Sequence, residues 1–526
     1  MKKLLITACM VVTIYAEMTF SMARGAPDTP RIESQSWMYE IRRTDNSDDY
    51  LNDETTSYTF HPDGDEMVLN IQALRDIFSD ELDLSHLISL TVSGRIGNSR
   101  KLLKKLALVF SKSPNLESLC LTNHSLKKLP RSVKKLRKLK MLNLIFNDIK
   151  ALPKEIRSLK RLEQLLLYHN QITKLPSGIE TLTSLRCLNL RNNKIKKLPK
   201  EIGNLSSLEE LLLGKNNLKT IPNSVGRLEN LRTVDLGYNR LRFLPVTFDN
   251  LTNLITLDLF DNHLTTFSFK NLKNLRSLNL FENKISRLDE SIGELSNLSV
   301  LNLYGNKLNT VPDAMGNLTN LTSLNLENNS LKTLPETMRN LTNLRILFLG
   351  LNEFTKFPKI VESLSNLQVL DVDRNISIRR FIFGDMLSDY IFLNLRSKWL
   401  DEVPHDIFRV RNLKILDLSN NQLKKLTPFI ERLNFLRVLL LHDNPLEALP
   451  DYLWHMKNLS MLKIDSRLSS YVPEDAEIIF DEETETIIEL LLSWKNQIRW
   501  SDNQIERIIG TSSVYLNRLT LIQTDS

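Results

Sequence analysis

Between Leu116 and Asn458 one pattern, L-x-x-L-x-L-x-x-N-x-L-x-x-L-P-x-x-I-x-x-L-x-x, recurs every 23 residues, and nothing else in this 526-residue chain restricts its fold as strongly. It is clearest from Leu185 through Leu188, Leu190 and Ile195 to Leu198, Pro199, Ile202 and Leu205. Fifteen coils fill residues 116–458, a two-residue deletion in the seventh is the only change of length, and a partial sixteenth begins at Leu459. A unit this short cannot close a core alone, so successive coils must stack and bury leucine against leucine. The x-L-x-L stretch alternates faces and predicts one short strand per coil, paired in parallel with the next. Position nine is Asn in thirteen coils, from Asn147 to Asn444, where an amide can both accept from and donate to backbone groups left unpaired as the chain exits the strand. Proline at position fifteen (Pro130, Pro153, Pro176, Pro199, Pro222) suits the start of a helical turn, and the Ile and Leu that follow form one apolar stripe. Strands spaced about 4.8 Å apart with bulkier turns behind them bend the stack, the strands lying inside an arc of roughly 70 Å.

These residues resemble the leucine-rich repeat family, in particular its 23-residue class with a Leu-Pro-x-x-Ile-x-x-Leu outer segment. That class is similar to Ras-suppressor-type scaffolds and to bacterial leucine-rich repeat proteins. The resemblance implies an α/β solenoid: a horseshoe with a parallel concave sheet, short helical or 3-10 turns on the convex side, and protein binding on the concave face. The departures are local. His124 and Lys398 stand at the Asn position, the seventh coil loses its proline near Phe267, and a distorted stretch is expected at 376–389.

Outside the array, residues 1–23 read as a signal peptide: Lys2 and Lys3, an apolar run from Leu4 to Ala16, and small residues Ser21 and Ala23 before the cut. Residues 24–115 read as an acidic lead and an N-terminal cap, with a helix predicted at 71–82 and an irregular coil from Leu87. Residues 459–526 read as the partial repeat and a helical C-terminal cap. The animal and plant extracellular members carry cysteine-bonded caps; the three cysteines here, Cys9, Cys120 and Cys187, cannot supply them. Their absence favours a bacterial or an intracellular setting, and the signal peptide points to an exported protein acting at a cell surface or on another organism's proteins. The alternative is a cytoplasmic scaffold or enzyme regulator, with the N-terminal segment uncleaved.

Catalytic signatures are missing from the sequence. There is no G-x-x-x-x-G-K-S/T, H-E-x-x-H, G-x-S-x-G or paired C-x-x-C, and no cofactor or metal is expected. His169, Asp261, His263 and His442 sit on or beside the inner face but several coils apart or in ordinary loop slots. The variable positions of that face are more informative. Tyr238, Phe260, Phe281 and Tyr304 put an aromatic in four consecutive coils, beside Asp235, Asp258, Asp261 and Glu282. They read either as a hot spot for a partner with apolar and basic groups, or as neighbours that stack and stiffen the ladder. Weaker patches are Ile145, Phe146, Leu166 and Tyr168, and Phe348 with Leu351. Lys127, Lys128, Lys150, Lys174, Lys196, Lys197, Lys219 and Arg242 mark one lateral edge, a solvated flank or a contact for an anionic surface, with no specific nucleic acid expected. The N-x-S/T triplets at Asn250, Asn317, Asn320 and Asn340 fall out of the repeat phrase itself.

Overall fold

The computed structural model describes residues 58–60, 66–69, 84–92, 100–372, 375, 391–410 and 412–471, all within a compact unit that begins at Tyr58. The predicted signal peptide, the helix expected at 71–82, the irregular stretch at 376–389 and the helices expected toward the C-terminus lie outside the described residues.

Among the described residues a single sheet of nineteen strands runs through the array. Strand β1 (Tyr58–Phe60) pairs antiparallel with β2 (Glu66–Leu69), and β2 pairs in parallel with β3 (Ser89–Val92). From β4 (Ser118–Cys120) to β19 (Met461–Lys463) each coil adds one three-residue strand in parallel. The register advances by one repeat at each step: Leu119 faces Leu142, and Leu165 faces Leu188. It also holds across the twelfth coil, where β15 (Val369–Asp371) pairs with β16 (Phe392–Asn394). The strands before Leu116 extend the same ladder. There the segment corresponding to the convex turn is a true helix, α1 (Arg100–Lys112), which buries Leu106, Val109 and Phe110.

The coil's second half is a five-residue 3-10 turn, as at Arg131–Lys135, Lys154–Ser158 and Lys200–Asn204. Pro130, Pro153 and Pro199 precede these turns in extended backbone with ψ between 143° and 149°, so the fixed proline φ costs nothing and no amide donor is lost. Val133, Ile156 and Ile202 point inward from them. Burial of each such side chain is worth about 1.5–3 kcal/mol. The seventh coil, lacking its proline, forms no 3-10 turn; Phe267 and Phe269 are buried instead with ring centroids 5.0 Å apart, and Phe269 meets Phe248 of the sixth coil at 6.0 Å.

The Asn ladder has the predicted role and repeats it from coil to coil. In Asn216, Nδ2 donates to the carbonyl of Leu213 in its own coil and of Leu190 in the preceding one, both at 2.9 Å, while Oδ1 accepts from the Ile195 amide at 2.9 Å. The same three bonds recur from Asn147 to Asn444, and each of these side chains is buried. The two exceptions keep one rung each: His124 reaches the Val92 carbonyl through Nε2 at 2.7 Å, and the buried Lys398 ammonium donates to the Val372 carbonyl. A second Asn ladder, not anticipated from sequence, occupies the last coil position: Asn230, Asn253, Asn320 and Asn458 donate to Ser206, Glu229, Ser296 and Asn434 carbonyls at 2.7–2.9 Å. These bonds are exposed. Among the described residues no helix is long and apolar enough to cross a membrane.

Removing a buried three-bond amide strands two carbonyls and one amide proton, whereas removing an exposed one re-exposes a single carbonyl to water. Asn216→Ala is therefore expected to lower unfolding stability by about 2–4 kcal/mol and Asn230→Ala by less than about 1 kcal/mol, read by urea titration.

Candidate functional site

The inner face is set by coil positions five, seven and eight. Position five is often Asp or Asn, and its side chain caps the strand: Asp235 accepts from the Gly237 amide at 2.9 Å, Asp258 from Phe260 at 3.3 Å and Asn279 from Phe281 at 3.2 Å. Position eight holds left-handed backbone whatever the residue. Phe146, His169, Tyr238, Asp261 and Glu282 have φ between 49° and 57°, and Gly305 takes the same place at 65°. For a bulky residue this region is strained, so the fold must impose it. It does so by spending consecutive amides on the next coil: the Tyr238 amide donates to the Phe260 carbonyl at 2.7 Å and that of Asn239 to Asp261 at 3.2 Å.

The eight residues singled out by sequence divide in two. Tyr238 (41 % exposed) and Glu282 are open to solvent, and Phe281, Asp258 and Asp261 are half-buried. Phe260 (3 %), Tyr304 (7 %) and Asp235 (4 %) are buried, which corrects their reading as exposed hot-spot groups. For Phe260 and Asp235 the reason lies in the neighbouring coil. A Cβ on Gly237 would lie 2.1 Å from the Phe260 ring, so the missing side chain makes room for that ring to fold over the strand. Gly214 does the same for Asp235, whose carboxylate then pairs with Arg191 from two coils away. Stacking also occurs: Tyr238 meets Phe260 edge-on at 4.5 Å, and Phe281 lies parallel to Tyr304 at 4.7 Å with 11° between planes. Lys215 Nζ sits 5.2 Å from the Tyr238 ring centre.

Elsewhere on the face, Phe146 is exposed and clusters with Tyr168 at 5.3 Å and His169 at 4.9 Å, so the second patch is built around a histidine that the aromatic count passed over. Phe348 is fully buried, which removes it from the third patch. Partial desolvation of its carboxyl end, and then the charge of nearby Asp261, raises the Glu282 carboxyl above the usual range. His169, His263 and His442 are not assembled with one another. His169 engages Asn192 at 2.6 Å, His263 its neighbour's carbonyl at 2.9 Å, and His442 approaches Arg396 at 3.3 Å. Among the described residues no group of three or more His, Cys, Asp or Glu side chains is placed to hold a metal. Cys120 and Cys187 are free thiols, the latter half-buried against Glu210 at 3.3 Å.

Family models describing a leucine-rich repeat region match residues 179–280 and 260–379, and two further leucine-rich repeat models match 114–172 and 412–433. The chain belongs to the leucine-rich repeat family. Similar solved structures include the Leptospira interrogans leucine-rich repeat protein LIC12759, at 29 % identity over 73 % of this chain and 85 % of that one, with a TM-score of 0.54. They also include PEPR1–AtPEP1 (25 % identity, 77 % and 57 % coverage, TM-score 0.54). A third is the plant peptide hormone receptor RGFR1 in complex with RGF2 (23 %, 79 % and 80 %, 0.51), whose likeness speaks for the fold alone. No curated protein matches the chain.

Two outcomes test this geometry. Gly237→Ala should destabilise the protein when Phe260 is present and be nearly neutral in a Phe260→Ala background, a coupling measurable by a double-mutant cycle. His442, driven down to about 3 by burial and by Lys463 and Arg396, stays neutral in the fold while the unfolded residue titrates near 6.5. Between those values the unfolded chain binds the extra proton, so the His442 contribution is whole above about pH 6.5 and falls as pH drops toward 3. The stability advantage of the native chain over His442→Gln is expected to shrink by about 2 kcal/mol from pH 7 to pH 5.

Proposed function

We propose that the protein is an exported, non-catalytic recognition module that captures a protein partner on its concave face. The observation that carries this reading is the pairing of rigidly held aromatics with carboxylates on that face: the solvent-open Tyr238 and the half-buried Phe281, stacked on Tyr304, beside Glu282 and Asp261. Side chains fixed by an imposed backbone lose little entropy on binding, and aromatic rings give large contact area per group ordered. The carboxylates favour a partner that brings lysine or arginine together with apolar groups. Phe260 and Tyr304 then act beneath the surface, holding Tyr238 and Phe281 in place, while Asp235 and Asp258 cap their own strands. The family's interaction fold supports the reading. Export rests on the Lys2-Lys3 and Leu4–Ala16 pattern, and a mature N-terminus at Arg24 outside the cytoplasm is its direct check.

Tyr238→Ala with Phe281→Ala is expected to weaken partner capture by tenfold or more, on the order of 1.4 kcal/mol, with circular dichroism unchanged. Capture at native strength would move the site off these coils. Because Glu282 is charged only above its raised pKa, and a cationic partner favours the charged form, affinity should rise with pH through that titration. Glu282→Gln should flatten the profile.

A further inference from the structure

The lateral edge between the Asn ladder and the convex turns is a surface with its own chemistry. Coil positions ten, twelve and thirteen form it. The position-ten amides donate to the preceding coil, as from Lys194 to Ile172 at 2.9 Å and from Arg240 to Leu218 at 2.8 Å, so the edge is registered from coil to coil rather than a set of loose loops. Over the first nine coils these positions carry Lys127, Lys128, Lys150, Lys174, Lys194, Lys196, Lys197, Lys219, Arg240, Arg242, Lys284, Arg287 and Lys307, all exposed, against the single carboxylate of Asp148. In the next coil the pattern stops, with Lys332 lying 3.7 Å from Glu353. At about 5 Å per coil the basic edge extends roughly 40 Å, interrupted at the seventh coil, where His263, Thr265 and Thr266 hold these positions.

Charge of this kind alone marks a solvated flank as often as a contact. The second observation is apolar. In the middle of the edge Phe243 is 57 % exposed and Val246, just beyond Pro245, is 84 % exposed, while Leu244 between them is anchored against the core. Two apolar side chains held out from a packed strut, with Arg240 and Arg242 in the same coil and Lys219 in the one before, reproduce the composition of an interfacial membrane contact, where rings and aliphatic groups enter the headgroup boundary and cations meet anionic lipid. A nucleic acid would make use of an aromatic face but has no place for an exposed valine. We propose that this edge docks the array on an anionic lipid surface, with Phe243 and Val246 as the inserted groups. The concave face is left open to solvent, so the inference is independent of any protein partner.

The test is sedimentation of the full-length protein with vesicles of phosphatidylcholine alone or mixed with phosphatidylglycerol, at two salt concentrations. Salt-sensitive binding to the anionic vesicles only is expected. Lys196→Glu, Lys197→Glu and Lys219→Glu together should weaken it by more than about tenfold, and Phe243→Ser with Val246→Ser by about threefold or more at unchanged charge. All five side chains are exposed, so neither variant threatens the fold. Binding that survives the serine variant undiminished would overturn the proposal, because cations alone would then suffice. So would equal binding to neutral vesicles, no vesicle binding, or binding to a soluble polyanion such as heparin without binding to vesicles.

Discussion

Each stacked coil leaves the carbonyls and amides at its strand exit with no partner in its own 23 residues, and the whole array depends on how those groups are satisfied. One asparagine per coil does it, by joining its own sixth-position carbonyl to that of the coil before while accepting an amide from the same earlier coil. The bond set is therefore both local and lateral. It fixes the register of every strand, holds leucine over leucine, and makes each coil's stability a property of its neighbours rather than of the whole. The exposed asparagines at the last coil position repeat the lateral link on the opposite edge, with less at stake because water can replace them.

The same hydrogen bonding shapes what the inner face offers. Committing two successive amides to the next coil forces the eighth position into left-handed backbone, so a tyrosine, a phenylalanine or a glutamate there projects from a rigid mount. At the seventh position of the seventh coil, burial is set by the coil before: glycine at Gly237 gives Phe260 a trough. Recognition surface and scaffold are thus made from the same positions, and a change at one coil is felt in the next.

Much of this is legible in the chain itself. The strands, their parallel order, the proline-led turns and the burial of the asparagines follow from spacing, since a period of 23 residues admits few other ways to hide its leucines. The left-handed eighth position is only partly legible: Asn123, Asn192, Asp261, Asn328, Asn420, Asp443 and Gly305 are residues that favour it, but Phe146, His169, Tyr238 and Glu282 are not, and there the constraint is tertiary. The exposure of the aromatics was misjudged for a related reason. Period-two alternation places Phe260 and Tyr304 on the inner face correctly but is silent on packing between coils, and that packing turns both inward. Helix α1 escaped notice because its segment, Arg100–Lys112, departs from the repeat phrase, yet it covers the same apolar edge with Leu106, Val109 and Phe110.

Native-state amide hydrogen exchange, resolved by coil, tests the central claim most directly. The eleventh-position amides of Leu126, Ile149, Ile172, Ile195, Leu218 and Leu241, which bond only to asparagine side chains, should be protected as strongly as the strand amides beside them. Removing one rung should lower protection in the coil that carries it and in the one before, and nowhere else. Eleventh-position amides that exchange as fast as those of open turns, or a loss spread evenly over the array, would contradict a stack held by its asparagine rungs.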